Sequence, residues 1–568
     1  MTISIPHFDK RLARPLIGVL LVLVALMRIV STYGVFSQTM DEPSKLSSGM
    51  HQLVYGHFPR THDHPPLGLI TLGIGPRLAG IPYEATANRW DDGNRVLYHE
   101  GTYRRNLALA RMGVLPFVIA TAVLTFLWAH RLFGIAVALV SLLLLTSLPE
   151  FLAHGGIASN DMAIAATLMA ALYCFTLWLE RPSFPRSIAL GISLGLALAA
   201  KFSALVFFPA AAAVIAGWRF WFLRRRDGDS QSEPGTRTTP RVWLGAAVTI
   251  VVVAWLTVWG SYGFATGGVT AEEIRVELNL DDHLGAGGRA SRVAYAIARR
   301  TPAIEYLVDL AKAVRHQTDG HTSYLFGEVT PRGLWYYLPV AFIFKTPIAF
   351  TILGLTSVPI ALSEAARKRS WGIPVPLLAA AAIAISCMFS NIAVGLRYIL
   401  PIYPLLAISA GFAAVHLWTA GWTAGGRFRR ATRPIVVSLL VWHLAASALA
   451  HPDYLAYFNE LARRPDRIIV DSNLDWGQDL LRLEKELRRR GVESFSIAYF
   501  GSCQLERHDL PPFTRLEPGD RATGWIAISV SLLRGMGPGP AAYAWLRELT
   551  PVGEVGHSIR LYYVPQER

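Results

Sequence analysis

Between Ser37 and Gly68 the chain reads SQTMDEPSKLSSGMHQLVYGHFPRTHDHPPLG, which crowds an adjacent acidic pair, four histidines and a Pro-Pro step into one stretch. Side chains of these types take and give protons, bind metals or orient a hydroxyl. Loops are where a rigid scaffold displays such groups. Asp41 and Glu42 follow directly on a long apolar segment, and a carboxylate near a low-dielectric boundary gains proton affinity, so either one suits a general base. The competing reading of the pair is helix capping in solvent. His62, Asp63 and His64 form a second polar cluster. An HxH step offers two metal ligands, but no third stands at a diagnostic spacing. A divalent metal is therefore not predicted, no other cofactor is indicated, and His62 and His64 are expected to hydrogen-bond within the loop and to meet substrate.

Further along, LAHGGIASNDMAI places Asp161 at the entrance of an apolar run, with Ser159 or Asn160 as the helix cap. Ionisable residues inside membrane spans are costly and are functional candidates by default. Only seven of the 54 basic residues are lysines, yet Lys201 interrupts LALAAKFSALVFF and Lys345 interrupts YYLPVAFIFKTPIAF. Arg397 stands in NIAVGLRYILPIYP. Cations there could neutralise a phosphate at headgroup level, arginine as a bidentate fork and lysine as a point charge. Snorkelling of Lys201 and Lys345 to ordinary headgroups is the alternative. His321, in DGHTSYLFGEVTPRGLWYYLPV, is a further substrate-binding candidate, whereas Trp335 reads as part of an interfacial aromatic belt.

These residues need a membrane scaffold. Hydrophobic residues make up 52% of the 568 and charged residues 17%, a balance too apolar for a soluble surface. Eleven stretches satisfy the length and apolarity of a bilayer span, near 14–35, 111–129, 132–149, 157–179, 186–200, 203–223, 242–264, 334–361, 372–392, 397–420 and 434–450. Basic clusters recur on the side reached after an even number of crossings, which puts the amino terminus in the cytoplasm and the carboxyl terminus outside. The loops 36–110 and 265–333 then lie externally, as does everything beyond 450. LGLITLGIGPRLAGIP in the first loop is too short and too interrupted by Gly and Pro to span, and reads as an interfacial or re-entrant helix. The net charge of +14 is topological and gives no nucleic-acid footprint. Cys174, Cys387 and Cys503 are too dispersed for a disulfide framework or a zinc site.

From 451 the pattern changes. The runs RIIVDSN, SFSIAYFG, GWIAISVSL and SIRLYYV alternate with helical patterns at 476–490 and 541–549, and ELRRRG closes on a C-capping Gly491. The expected fold is mainly α: a polytopic bundle over residues 1–450 with a small external α/β domain over 451–568.

Several stretches together resemble the GT-C superfamily of membrane glycosyltransferases, in its family 39 or protein-mannosyltransferase-like group. They are MDEPSKLSSG, HDHPPLG, SNDMAIAA, LALAAKFSAL, HTSYLFGEVTPRGLWYYLPVAFIFKTP, GLRYILPIYPLLAISAG and YFNELARRPDRIIVDSNLDWGQDL, in family order. The resemblance implies transfer of a sugar from a polyprenyl-phosphate carrier to a glycan, lipid or protein acceptor outside the cytoplasmic membrane. It implies that Asp41, the acidic residue of the first outer loop, is the catalytic one, with Glu42 as support or alternative. Asp161 matches the acidic position entering the fourth span, and Arg397 and Lys201 fall where cations contact the carrier phosphate. Single displacement would invert the anomeric centre. The segment before the eighth span has no room for the β-trefoil of eukaryotic protein mannosyltransferases, which argues against a protein acceptor. DSNLDWGQDL, with Asp471, Asp475, Trp476 and Asp479, either helps recognise the acceptor or caps a strand-turn-helix unit. The competing function is a transporter or flippase for lipid-linked sugars. No inverted repeat supports it, and the ionisable residues gather toward one face instead of the midplane.

Overall fold

The computed structural model describes residues 10–58, 64–227, 240–266, 269–270, 274, 276–277, 289–298, 300–423 and 427–565. His62 lies outside the described residues. The chain begins with α1 (Lys10–Ser31), followed by α2 (Glu42–Tyr55), α3 (Leu67–Leu78), α4 (Arg89–Leu97) and α5 (Tyr103–Met112). Next come α6 (Leu115–Phe133), α7 (Ile135–Thr146), α8 (Pro149–Gly155), α9 (Asp161–Glu180), α10 (Phe184–Ala200), α11 (Ala204–Asp227) and α12 (Pro240–Ser261). Then α13 (Arg289–Ala298) and α14 (Ile304–Asp319) precede a small hairpin, β1 (Ser323–Leu325) with β2 (Glu328–Thr330). The helical part ends with α15 (Tyr337–Lys345), α16 (Ile348–Arg367), α17 (Val375–Cys387), α18 (Ile402–Thr423) and α19 (Arg427–Leu449).

All eleven predicted spans fall on helices, but not all are full-length. Among the described residues, seven helices are long and apolar enough to cross a bilayer, and α7 with α8 makes an eighth if the pair, bent by 64°, counts as one. The stretches at α1, α10 and α17 are shorter apolar helices. The predicted span over 334–361 is broken at Thr346, which turns extended (φ −91°, ψ 134°) before Pro347. Proline clashes with a helical residue preceding it and offers no N–H to continue the ladder. Large side chains such as Leu244, Val251 and Leu355 stand about two-thirds exposed around the bundle. Water would not tolerate that much apolar surface, whereas lipid wets it. The protein is a multi-pass membrane protein, mainly helical.

Close backbone packing fixes α2, which carries the acidic pair at its start. A Cβ on Gly49 would run into the Leu69 carbonyl of α3, and one on Gly93 would run into the Pro43 carbonyl. Glycine at these two positions lets α3 and α4 press directly on α2 from two sides, so its amino-terminal turn has little freedom.

Beyond α19 the chain forms α20 (Leu480–Arg489), β3 (Phe495–Ala498), β4 (Phe513–Arg515), β5 (Gly524–Ser529), α21 (Val530–Leu533), β6 (Gly553–Val555) and β7 (Ile559–Val564). The sheet order is β4-β3-β5-β7-β6, with β3 parallel to β4 and β5, and β7 antiparallel to β5 and β6. Alternate residues of β5 feed two cores: Ala527 packs with α20, while Ile526 and Ile528 pack with Leu546 and Tyr562 on the opposite face. Gly491 ends α20 in the left-handed region (φ 65°), as its C-capping role requires. The run RIIVDSN differs from its strand-like reading. It forms two short 3-10 turns, Pro465–Arg467 and Asp471–Asn473. Its apolar residues are buried because the segment threads between the helical body and the sheet, not because it pairs within a sheet. Trp476 and Leu481 belong to the same continuous core as most of the helical body.

Candidate active site

Asp41 ends the loop after α1 and precedes the first residue of α2. Its carboxylate does not cap that helix: no backbone N–H of α2 donates to it. Instead Oδ2 receives a hydrogen bond from Arg397 Nη1 at 3.0 Å, and Lys45 Nζ, one turn along α2, lies 3.6 Å away. The side chain keeps 29% exposure while its two cations are nearly covered, so Asp41 is the open edge of a charged cluster. Burial pushes its carboxyl up, but Lys45 and Arg397 together outweigh that and hold it below the ordinary carboxylate range.

A second carboxylate closes the cluster from below. Asp161, the first residue of α9, is fully buried; it accepts from Lys201 Nζ at 2.7 Å and from Ser159 Oγ at 3.0 Å. Asn160 reaches across to the Ala200 carbonyl at the end of α10, leaving its own Oδ1 buried without a partner among the described residues. This ties the start of α9 to the turn where Lys201 leaves α10 in an extended conformation. Lys201 lies over the Tyr398 ring, 4.8 Å from its centroid. His64 is placed against the same group. Burial, with Lys45 and Lys201 nearby, pushes its imidazole well below its ordinary value, which favours the neutral ring.

Two aromatic rings lie against Arg397, with its guanidinium 4.3 Å from the Trp476 centroid and 5.6 Å from that of Tyr398. Its Nε is buried with no hydrogen-bond partner among the described residues. The loop bearing it is stapled to the tail. Leu396 N donates to Asn473 Oδ1 at 3.0 Å and Ser472 Oγ donates to the Val394 carbonyl at 2.6 Å. A Cβ on Gly395 would collide with Ser472 Oγ, so only glycine admits this approach. The loop bearing Asp41 is fastened to the same tail: Ser37 N donates to the Gln478 carbonyl and Met40 N to the Trp476 carbonyl, each at 2.9 Å. DSNLDWGQDL is thus the brace that brings Asp41 and Arg397 together across 356 residues of chain.

Glu42 is adjacent in sequence but faces away from this opening. Its oxygens accept from Arg111 Nε (2.8 Å) and Nη2 (2.9 Å), from Thr39 N (2.7 Å) and from Ala158 N (2.7 Å). Arg111 also donates to the carbonyls of Phe36 and Ser37. With Glu42 and Arg111 both about 2% exposed, the pair is a buried clamp that joins the Asp41 loop to α5 and to the turn before α9. Lys345 is likewise not brought to the cluster. Its ammonium donates to the carbonyls of Leu455, Tyr457 and Asn473 and pairs with Glu150 at 3.2 Å. Its three N–H bonds are spent on the backbone at the start of the tail. His321 is exposed, with Nδ1 against the Thr322 carbonyl, and it stands on the side of the cluster toward Asp471.

Among the described residues, no group of three His, Cys, Asp or Glu is arranged to hold a metal ion. What the arrangement offers is three cations, Lys45, Lys201 and Arg397, around two carboxylates, with one carboxylate open to a ligand. That composition suits an anionic ligand with a proton to be taken beside it.

The profile of the family described as Dolichyl-phosphate-mannose-protein mannosyltransferase matches residues 55–262. The GT-C, mannosyltransferase-like resemblance is borne out. Among solved structures, the chain is similar to ArnT from Cupriavidus metallidurans bound to undecaprenyl phosphate, at 12% identity over 96% of this chain and 97% of that one, with a TM-score of 0.47. It is also similar to the oligosaccharyltransferase AglB from Archaeoglobus fulgidus in complex with an inhibitory peptide and a dolichol-phosphate, at 13% identity over 91% and 69%, TM-score 0.48. A third is the protein O-mannosyltransferase Pmt1-Pmt2 complex of S. cerevisiae bound to the sugar donor, at 15% identity over 46% and 33%, TM-score 0.32. No curated protein sequence matches the chain.

The matched segment contains Asp161 and Lys201; Asp41, Lys45 and Arg397 lie outside it and join it only in space. Two participants escaped the sequence reading. Lys45 looks unremarkable as a lysine in a polar stretch; the available signal is its i, i+4 spacing from Asp41 on one helix face. Trp476 stands within the tail motif, and nothing in its local sequence indicates that it lies against a guanidinium.

Proposed function

We propose that the protein transfers a sugar from a polyprenyl-phosphate carrier to a hydroxyl-bearing acceptor at the outer face of the cytoplasmic membrane. The observation that carries this reading is the convergence of Lys45, Lys201 and Arg397 around the partly exposed Asp41 in a membrane-embedded chain. In the proposed mechanism the carrier phosphate enters among the three cations, and the buried Arg397 Nε gives it a donor that no group among the described residues uses. Asp41 takes the proton of the acceptor hydroxyl, which attacks the anomeric carbon as the bond to the phosphate breaks, with inversion. The same cations couple the two halves of the reaction. In the resting protein Lys45 and Arg397 suppress the basicity of Asp41; a bound phosphate shares their charge and returns proton affinity to the carboxylate where it is needed. Asp161 holds Lys201 in place through their ion pair, and Glu42 fixes the loop on which Asp41 rides.

The test uses purified protein in liposomes with a panel of radiolabelled polyprenyl-phosphate sugars and a cell-envelope extract as acceptor. Wild type is expected to transfer label from at least one donor, and Asp41→Asn to lose at least about 100-fold of that rate while still binding undecaprenyl phosphate. Full activity of a folded Asp41→Asn protein removes Asp41 as the base. Absence of transfer from every donor overturns the reading.

A further inference from the structure

Among the described residues, Asp471 is a carboxylate near the cluster that the proposed mechanism does not employ. It is presented on a backbone that L-residues rarely adopt, with φ at 56°. Such a conformation is strained and persists only when its surroundings enforce it. Here they do: Asp471 N donates to Ser531 Oγ at 3.1 Å, the Asp471 carbonyl accepts from Leu474 N and Asp475 N, and Ser472 and Asn473 are pinned to the loop of Arg397. The turn therefore aims its side chain from a rigid mount. Of the two carboxylate oxygens, Oδ1 accepts from Ser472 N at 2.7 Å, and Oδ2 takes no hydrogen bond among the described residues. The charged and titratable groups facing it are Arg397 and Asp41 of the cluster, His321 from the segment before β1, and the Tyr337 hydroxyl of α15. Among the described residues no cation pairs with it directly, and Arg397 pairs with Asp41.

We propose that Asp471 is the acid of this site, giving its proton to the departing lipid phosphate while Asp41 receives the proton of the acceptor. The inference rests on the sugar-transfer reading above. As the acceptor oxygen bonds to the anomeric carbon, the carbon–oxygen bond to phosphate breaks and its electron pair stays on the phosphate oxygen. That oxygen takes the Asp471 proton, the acceptor proton goes to Asp41, and exchange with water resets both carboxyls. The environments agree with the division of roles. Burial pushes the Asp471 carboxyl up to about 6, with Arg397 and His321 opposing, whereas Lys45 and Arg397 hold Asp41 low. Two nearby carboxyls driven in opposite directions mark an acid and a base.

The experiment measures the affinity of wild type and Asp471→Asn for undecaprenyl phosphate in nanodiscs between pH 5 and pH 8. Asparagine tolerates the left-handed region well, so this substitution preserves the turn, and a circular-dichroism melt verifies it. Because ionisation of the lipid phosphate is common to both proteins, the ratio of their dissociation constants reports Asp471 alone. At pH 5 the ratio is expected near one. By pH 8 Asp471→Asn should bind about tenfold more tightly, as the wild-type carboxylate comes to repel the phosphate, with a midpoint near 6. A ratio that does not change with pH overturns the inference and leaves the phosphate site standing. No binding by wild type at any pH overturns the phosphate site and this inference with it.

Discussion

The buried Glu42–Arg111 pair allows a quantitative test of how the Asp41 loop is held. Glu42 accepts four hydrogen bonds, two from Arg111 and one each from Thr39 N and Ala158 N, all between 2.7 and 2.9 Å. Glu42→Gln removes the charge and turns one acceptor into a donor. Each oxygen accepts one bond from Arg111 and one from a backbone N–H, so the amide NH2 is set against both kinds of donor at once, and the arginine is left buried without its counter-ion. Breaking a buried pair from one side costs roughly 3–5 kcal/mol. Part of this is retained because the glutamine carbonyl still accepts, so the expected loss is about 3 kcal/mol. Arg111→Met should cost a similar amount, but Glu42→Gln together with Arg111→Met should cost less than the sum, because the second change removes the uncompensated charge left by the first. Equilibrium unfolding in mixed micelles against SDS mole fraction, followed by tryptophan fluorescence, supplies the four corners of the cycle. A coupling of at least about 1 kcal/mol is expected. Additive losses, or a Glu42→Gln protein within about 0.5 kcal/mol of wild type, would refute the clamp.

The brace from the tail makes a separate prediction. Trp476→Ala removes the ring beneath Arg397 and should weaken undecaprenyl phosphate binding about tenfold, with Trp476→Phe recovering part of the loss; equal affinity in all three proteins would mean that the ring does not position the guanidinium. A pH dependence of stability follows from Asp475, whose carboxyl is buried in the tail, accepts from Ser531 N and Gly477 N, and is pushed by that burial up to about 7. Its folded-state value lies above the unfolded one, so the folded protein holds the proton more tightly. Stability is full below about pH 4 as far as this group is concerned, and it falls as the pH rises toward 7. Asp475→Asn should flatten that part of the curve measured by unfolding between pH 4 and pH 8, and an unchanged slope would count against it.

The reach of the sequence is clearest at particular residues. The bundle was legible because lipid imposes a simple demand: an apolar stretch of sufficient length must be a helix, since no water is present to satisfy its backbone. Asp41, Asp161, Lys201 and Arg397 were legible for a related reason, since a charge beside or within an apolar run is too costly to be incidental. The break at Thr346 and Pro347 is local chemistry, yet apolarity continues through it, and a count by hydropathy alone passes over it. Glu42 and Lys345 show a firmer limit. By residue type each was as good a candidate as its neighbours, and only the donors and acceptors arriving from residues far away in sequence reveal that their hydrogen-bonding capacity is already used.

The tail shows the same limit from the other side. Its turn residues and its Gly491 cap were readable, but the run RIIVDSN has the apolar pattern of a strand and became a braced turn because two other parts of the chain compete for its backbone. Nothing near Asp41 in sequence says that Trp476 and Ser472 will hold its partner in place. Residue order and apolarity are enough to make this a helical membrane protein with acidic and basic groups at the ends of its helices. Which of those groups share one site follows from the fold, because charges pair through space and the distances between them are set by the packing of the whole chain.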